Sequence, residues 1–126
     1  MSSHVALDRL EETYDLMVVA TLSDRVPDAK EILALRQRWT TQMNDLLLAL
    51  RAELGHEKNR LLLAELEDRL HTLRIRLMSY TMAWQPRQIE EEPEAYRRAA
   101  GDMAMRVRNV ITEVRGAIDH ARQGGT

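Results

Sequence analysis

Apolar residues recur at every third or fourth position along most of this chain, a spacing that places them on one face of an α-helix. Sustained alternation of apolar and polar residues, typical of strands, is not visible. Pro and Gly fall mostly between the periodic blocks. The pattern predicts one all-α domain over residues 1–126, with helices at about 3–22, 28–54, 57–84 and 93–122 and a frayed tail at 122–126.

Each predicted helix has one apolar face that we expect to point inward. The first face comprises Leu7, Leu10, Tyr14, Met17, Val18 and Leu22. The second comprises Ile32, Leu35, Trp39, Met43, Leu46, Leu50 and Leu54. The third comprises Leu62, Leu66, Leu70, Leu73, Leu77, Tyr80 and Trp84. The fourth follows a heptad repeat through Tyr96, Ala100, Met103, Val107, Val110, Val114 and Ala117.

The predicted boundaries rest on residues with known capping and helix-breaking roles. Ser23, Asp24 and Pro27 end the first helix. Asp28 and Glu31 have the spacing of a capping box at the start of the second helix.

Gly55 stands where a C′ glycine closes a helix. A turn there folds the chain into an antiparallel, up-down-up-down four-helix bundle. Without that turn, one long helix would need a second chain to cover its core. We adopt the turn.

The third predicted helix carries a second apolar face, rotated by about 150° from its Leu stripe at 100° per residue. This face comprises His71, Ile75, Met78 and Met82, with Arg74 at its rim. A peripheral helix needs only one apolar face, so another helix of the chain, another subunit or a protein partner must cover the second. We interpret these five residues as the partner-binding site.

His71 has three possible chemical roles. It could accept a phosphoryl group, as in histidine phosphotransfer domains, bind a metal together with Asp68, or titrate at an interface. The sequence after His71 lacks the small, Gly-containing context of phosphotransfer domains. A ferritin-like metal site needs Glu and Glu-x-x-His groups from several helices, and only the Asp68 and His71 pair has that spacing. We therefore predict no metal, no cofactor and no catalytic residue.

Arg36 lies within the apolar face of the second helix, where a buried guanidinium needs a partner. Glu11 is the candidate mate. Arg36 could hold an anionic ligand in the interior, or it could extend from the edge of the stripe into solvent.

Composition narrows the function classes. The formal net charge is −2, and no segment is a basic arm, so no nucleic-acid binding is expected. Without Cys there are no disulfides or thiolate metal sites. No apolar run is long enough to span a bilayer, and the first residues lack a signal-peptide pattern, so we expect a cytoplasmic protein without membrane contact. Only two of its 18 basic residues are Lys, which hints at a bacterial source.

These observations favour a non-enzymatic helical interaction protein, such as an adaptor, chaperone or small regulator, that acts by helix–helix burial. A homodimer or a foreign protein would supply the second surface. The alternative is a helical bundle whose polar interior residue binds a small ligand or takes part in histidine phosphotransfer.

Overall fold

The computed structural model describes residues 1–22 and 28–124, and all regular structure in this part of the chain is helical. Its α-helices are α1 (Ser3–Leu22), α2 (Ala29–Leu54), α3 (Arg60–Ala83), α4 (Pro86–Glu91) and α5 (Pro93–Gly124). The all-α class is confirmed. The count of four helices is one short, because α4 lies between the third and fourth predicted helices, where no helix was expected.

Local capping explains where α2 begins and ends. The Asp28 carboxylate accepts hydrogen bonds from the backbone N–H groups of Lys30 (3.0 Å) and Glu31 (3.4 Å), which confirms it as the N-cap. The helix α2 ends at Leu54, so the predicted break at Gly55 is confirmed, although Gly55 has φ −73° and ψ 1° rather than the left-handed backbone common at such glycines. A Cβ on Gly55 would instead overlap the carbonyl oxygen of Arg51, which explains the glycine sterically.

The other predicted boundaries fare differently. A 3₁₀ turn at Glu57–Asn59 precedes α3, so the third helix begins later than position 57. The fourth predicted helix, α5, continues to Gly124, which is two residues beyond the predicted end at 122. Ser23, Asp24 and Pro27, the predicted end of the first helix, lie outside the described residues.

Polar contacts join the start of α1 to the end of α2 and to the end of α5, and also join α3 to α5. The backbone N–H of Ser3, at the start of α1, donates to Glu53 Oε1 at the end of α2 over 3.1 Å. Asp8, also near the start of α1, accepts from Arg115 near the end of α5 over 2.7 Å. Arg69 of α3 lies 3.2 Å from Glu113 of α5.

The main core lies between α1, α2, α3 and α5, and includes the fully buried Leu7, Leu10, Met43, Leu46, Leu50 and Val107. On α5 the buried stripe is Ala104, Val107, Ile111, Val114 and Ile118. The predicted heptad missed Ile111 and Ile118, and its Met103, Val110 and Ala117 are only partly buried. Leu22, predicted to point inward, is 51% exposed.

A second, smaller cluster joins Ile32 of α2, Ile89 of α4 and Tyr96 of α5. Tyr80 and Trp84 from the end of α3 pack against it. Because Ile89 is 1% exposed, α4 packs against this end of the fold and is not a linker in solvent.

Candidate functional site

A cleft of about 390 Å³ opens between α2 and α3, with further walls from α1 and the start of α5. Small-molecule sites occupy roughly 300–1,000 Å³, so the size is that of a binding site. Most of the lining is apolar or aromatic: Met17, Val18, Leu33, Leu77, Met78 and Met82 are examples. We call this feature the Arg36 cleft.

Arg36 is a charged residue of the cleft wall, and two contacts hold its side chain. Its Nη1 donates to the backbone carbonyl of Trp84 over 2.9 Å, and its guanidinium carbon lies 5.7 Å from the centre of the Tyr80 ring. Both contacts fix the orientation of the guanidinium. Its Nη2 is buried and has no hydrogen-bond partner among the residues described here.

The structure corrects the predicted mate of Arg36. Glu11 accepts from Arg115 Nη2 over 3.1 Å, so it belongs to a charged contact between α1 and α5. Arg115 also donates to Asp8, and that hydrogen bond, reinforced by the charges of Asp8 and Glu11, raises the pKa of its guanidinium. Arg36 itself is only half buried as a whole residue. Arg36 is therefore partly buried, and it lacks the ion pair with Glu11 that was predicted.

Trp39, one turn further along α2, supplies a second unused donor. Only 5% of the residue is exposed, and it lines the Arg36 cleft. Its indole N–H finds no acceptor within the described part of the chain. A buried donor without an acceptor costs about 1–3 kcal/mol relative to a satisfied one. Both of these donors belong to side chains that line the Arg36 cleft.

Three tyrosines complete the wall: Tyr14 from α1, Tyr80 from α3 and Tyr96 from α5. The rings of Tyr80 and Tyr96 stack with centres 6.2 Å apart. Burial raises the pKa of Tyr14 and of Tyr80 above the ordinary value of 10.0, and the proximity of Tyr96 raises both further. These two phenols therefore stay neutral at physiological pH.

The charged side chains that line the cleft are all basic among the described residues. Arg36 and Arg74 both contribute to the lining, and none of the described lining residues is Asp or Glu. Arg74 is half buried, and its Nη2 donates to Asn44 Oδ1 over 2.9 Å. The cleft therefore has a positive potential within an apolar wall.

The second face of α3 is open to solvent. Ile75, Met78 and Met82 are 64%, 59% and 71% exposed, and His71 is exposed as well. The same face continues towards the start of α3 through Leu61, which is 79% exposed. Spaced alternately by three and four residues, the face comprises Leu61, Ala64, Asp68, His71, Ile75, Met78 and Met82, all of them exposed. We call these seven positions the outward stripe.

The structure joins two sites that the sequence kept apart. Arg74, Met78 and Met82 line the Arg36 cleft, whereas His71 and Ile75 do not. Met78 and Met82 are therefore both rim of the cleft and part of the outward stripe. Predicting this requires knowing that α2 and α3 are neighbours, which no local pattern encodes.

Sequence reasoning missed several residues of these sites. Continuing the spacing of three and four backwards from His71 would have found Asp68, Ala64 and Leu61. Leu48 was missed as well: it is 64% exposed and shares one side of α2 with Asn44 and Arg51. Because Asn44 and Arg51 contact Arg74 and Glu67 of α3, Leu48 widens the apolar surface beside the outward stripe.

No cluster of three or more His, Asp or Glu side chains within residues 1–22 and 28–124 has the arrangement of a metal site. His71 and Asp68 share the outward stripe, one turn apart, and the phosphotransfer role of His71 stays a prediction.

No helix in the described ranges is both long and apolar enough to cross a bilayer. Comparisons with protein-family models, with curated proteins and with solved structures found no match to this chain.

Proposed function

We propose that this chain is a non-enzymatic helical interaction protein that self-associates through the outward stripe of α3. The observation that carries the proposal is the exposure of all seven stripe positions at heptad spacing. That spacing is the one with which two helices form a shared seam. The buried face of the same helix, with Leu66, Leu70 and Leu73, already serves the core.

The stripe also favours one orientation of the second copy. Its middle holds Asp68 and His71, and its ends hold Leu61 and Met82. In the antiparallel register that places Asp68 of each copy opposite His71 of the other, Ala64 faces Ile75 and Leu61 faces Met78, so apolar residues face apolar residues on both sides of the polar pairs. If the two copies pack parallel, each of these polar residues faces its own counterpart. Charge complementarity therefore supports the antiparallel pair.

The expected affinity is moderate. Burying a Leu, Ile or Met side chain completely contributes about 1.5–3 kcal/mol, and each copy brings four such side chains that are only partly exposed. Association costs about 4–15 kcal/mol in lost translational and rotational freedom. We expect a dimer whose population depends on protein concentration rather than a permanent one.

We further propose that α1, α2, α3 and α5 form an antiparallel four-helix bundle as the scaffold for this surface. The antiparallel contacts of α1 with α2 and with α5, and of α3 with α5, support it. The hydrogen bonds from Arg74 to Asn44 and from Arg51 to Glu67 support an antiparallel arrangement of α2 and α3 as well.

The variant Ile75→Asp tests the self-association. Ile75 is 64% exposed, lies in the outward stripe and does not line the Arg36 cleft. A carboxylate there should weaken the dimer at least tenfold in sedimentation equilibrium, because the charge would have to be desolvated in the seam. The helical circular dichroism signal should not change.

Met105→Asp is the matched control, since Met105 is 67% exposed on α5, away from the stripe. It should dimerise like the parent chain. A parent chain that stays monomeric at every concentration would contradict the proposal, as would equal effects of the two substitutions.

A further inference from the structure

We propose that the Arg36 cleft binds an aliphatic monocarboxylate, with the carboxylate accepting hydrogen bonds from Arg36 Nη2 and Trp39 Nε1 and the alkyl chain lying along the apolar wall. This inference does not rest on self-association, because the outward stripe contributes only rim residues to the cleft.

The two unused donors define the headgroup. The Nη2 of Arg36 and the Nε1 of Trp39 are both buried without an acceptor from the described residues, and both side chains line the cleft. Buried donors in native proteins are nearly always paired. A carboxylate has two oxygens and only accepts, so it can serve both donors at once.

The charge balance selects an anion with a single charge. Every ionic group among the described lining residues is a guanidinium, so an acidic ligand meets no like charge. Arg74 donates to Asn44 through Nη2, and Arg36 is the guanidinium of the lining that has a buried N–H without an acceptor among the described residues. A polyanion such as a phosphate ester would bring more charge into the apolar wall beside Arg36 than the Arg36 guanidinium alone can compensate.

The Arg36 guanidinium is oriented before any ligand arrives. Its bond to the Trp84 carbonyl and its position over the Tyr80 ring hold it in place. A group that is already oriented loses little conformational entropy on binding. The remaining lining, including Met17, Leu33 and Leu77, offers an apolar path for a flexible chain within about 390 Å³.

Octanoate is the probe, and isothermal titration calorimetry of the full chain is the measurement. We expect saturable binding of one octanoate per chain and at least tenfold weaker binding of octan-1-ol, which has the same chain without the charge. Octyltrimethylammonium, with the opposite charge, should not bind. Equal affinities for octanoate and octan-1-ol, or no saturable binding of octanoate, would overturn the assignment.

Two variants locate the carboxylate. Arg36→Met should weaken octanoate at least about tenfold, the loss typical of a charge-assisted hydrogen bond, and should abolish the preference over octan-1-ol. Trp39→Phe keeps an aromatic ring without the N–H, and should weaken octanoate but not octan-1-ol. If both variants keep the parent preference for octanoate, the assignment is wrong.

Two controls separate this site from other effects. Arg106→Met removes the same charge from an exposed position on α5 that does not line the cleft, and should bind octanoate like the parent chain. Ile75→Asp should retain octanoate binding even if it is monomeric. Loss of binding in Arg106→Met would assign the effect to overall charge and overturn the proposal.

Discussion

The contacts of Arg36 and Trp39 depend on residues that are distant from them in the sequence. From sequence, Arg36 was a charged residue in an apolar stripe with Glu11 as its candidate mate. The structure instead places the Trp84 carbonyl on one nitrogen of Arg36 and leaves the other nitrogen without an acceptor among the described atoms. These residues are 48 positions apart, so periodicity within one helix could not predict the contact.

Three glycines allow a prediction at this scale: Gly55, Gly101 and Gly116. Gly55→Ala should lower the free energy of unfolding by about 1 kcal/mol or more, because its Cβ overlaps the Arg51 carbonyl. Gly101→Ala and Gly116→Ala lie within α5 with open space at the Cβ, and each should raise stability by about 0.5–1 kcal/mol. Urea denaturation of the three variants compares them directly. Stabilisation by Gly55→Ala would show that the turn differs from the one described.

The buried tyrosines predict how stability depends on alkaline pH. Burial raises the pKa of Tyr14 in the folded chain, whereas the unfolded chain ionises near its ordinary value of 10.0. Above about pH 10 the unfolded state therefore releases protons that the folded state retains, and stability falls as pH rises. Below that pH, Tyr14 should contribute no pH dependence. Urea midpoints measured between pH 8 and pH 11 should fall more steeply for the parent chain than for Tyr14→Phe, and parallel curves would contradict the assignment.

At the scale of helices, the sequence predicted which segments are helical better than which side of each helix is buried. The bounds of the long helices follow from apolar spacing and from caps such as Asp28. The inward face of α5 was misplaced because Val107 and Val114 fit a spacing of three and four on either side. The prediction joined them to Met103, Val110 and Ala117, whereas tertiary packing buries Ala104, Ile111 and Ile118. The helix α4 was missed because its segment has only one buried apolar side chain, Ile89, which is too few to show a helical period. Four acidic residues stand close to it in the sequence: Glu90, Glu91, Glu92 and Glu94.

The outward stripe also belongs to this scale. A second apolar face on the third helix was predicted from His71, Ile75, Met78 and Met82, and the structure places all four in exposed positions. What the sequence could not reveal was whether another helix of the same chain covers them. That question depends on how α2 and α5 sit against α3, which is a property of the tertiary packing.

At the scale of the whole molecule, the two proposed sites share one edge. Met78 and Met82 form part of the cleft rim and part of the outward stripe, so a second copy docked on α3 would lie beside the cleft entrance. The substitutions separate the two activities, because Ile75 lies only in the stripe, whereas Arg36 and Trp39 lie only in the cleft. Each proposal can therefore fail without the other.

Thiol cross-linking tests the antiparallel pairing of two α3 helices most directly, and the chain offers no competing Cys. In the proposed register, Ala64 of one copy faces Ile75 of the other. Equal amounts of Ala64→Cys and Ile75→Cys chains, distinguished by mass, are mixed and treated with a short thiol-specific reagent. We predict that the mixed product exceeds both products of identical chains. Products of identical chains in excess would contradict the antiparallel pairing. No cross-linked product at concentrations where the chain dimerises would contradict self-association through the outward stripe.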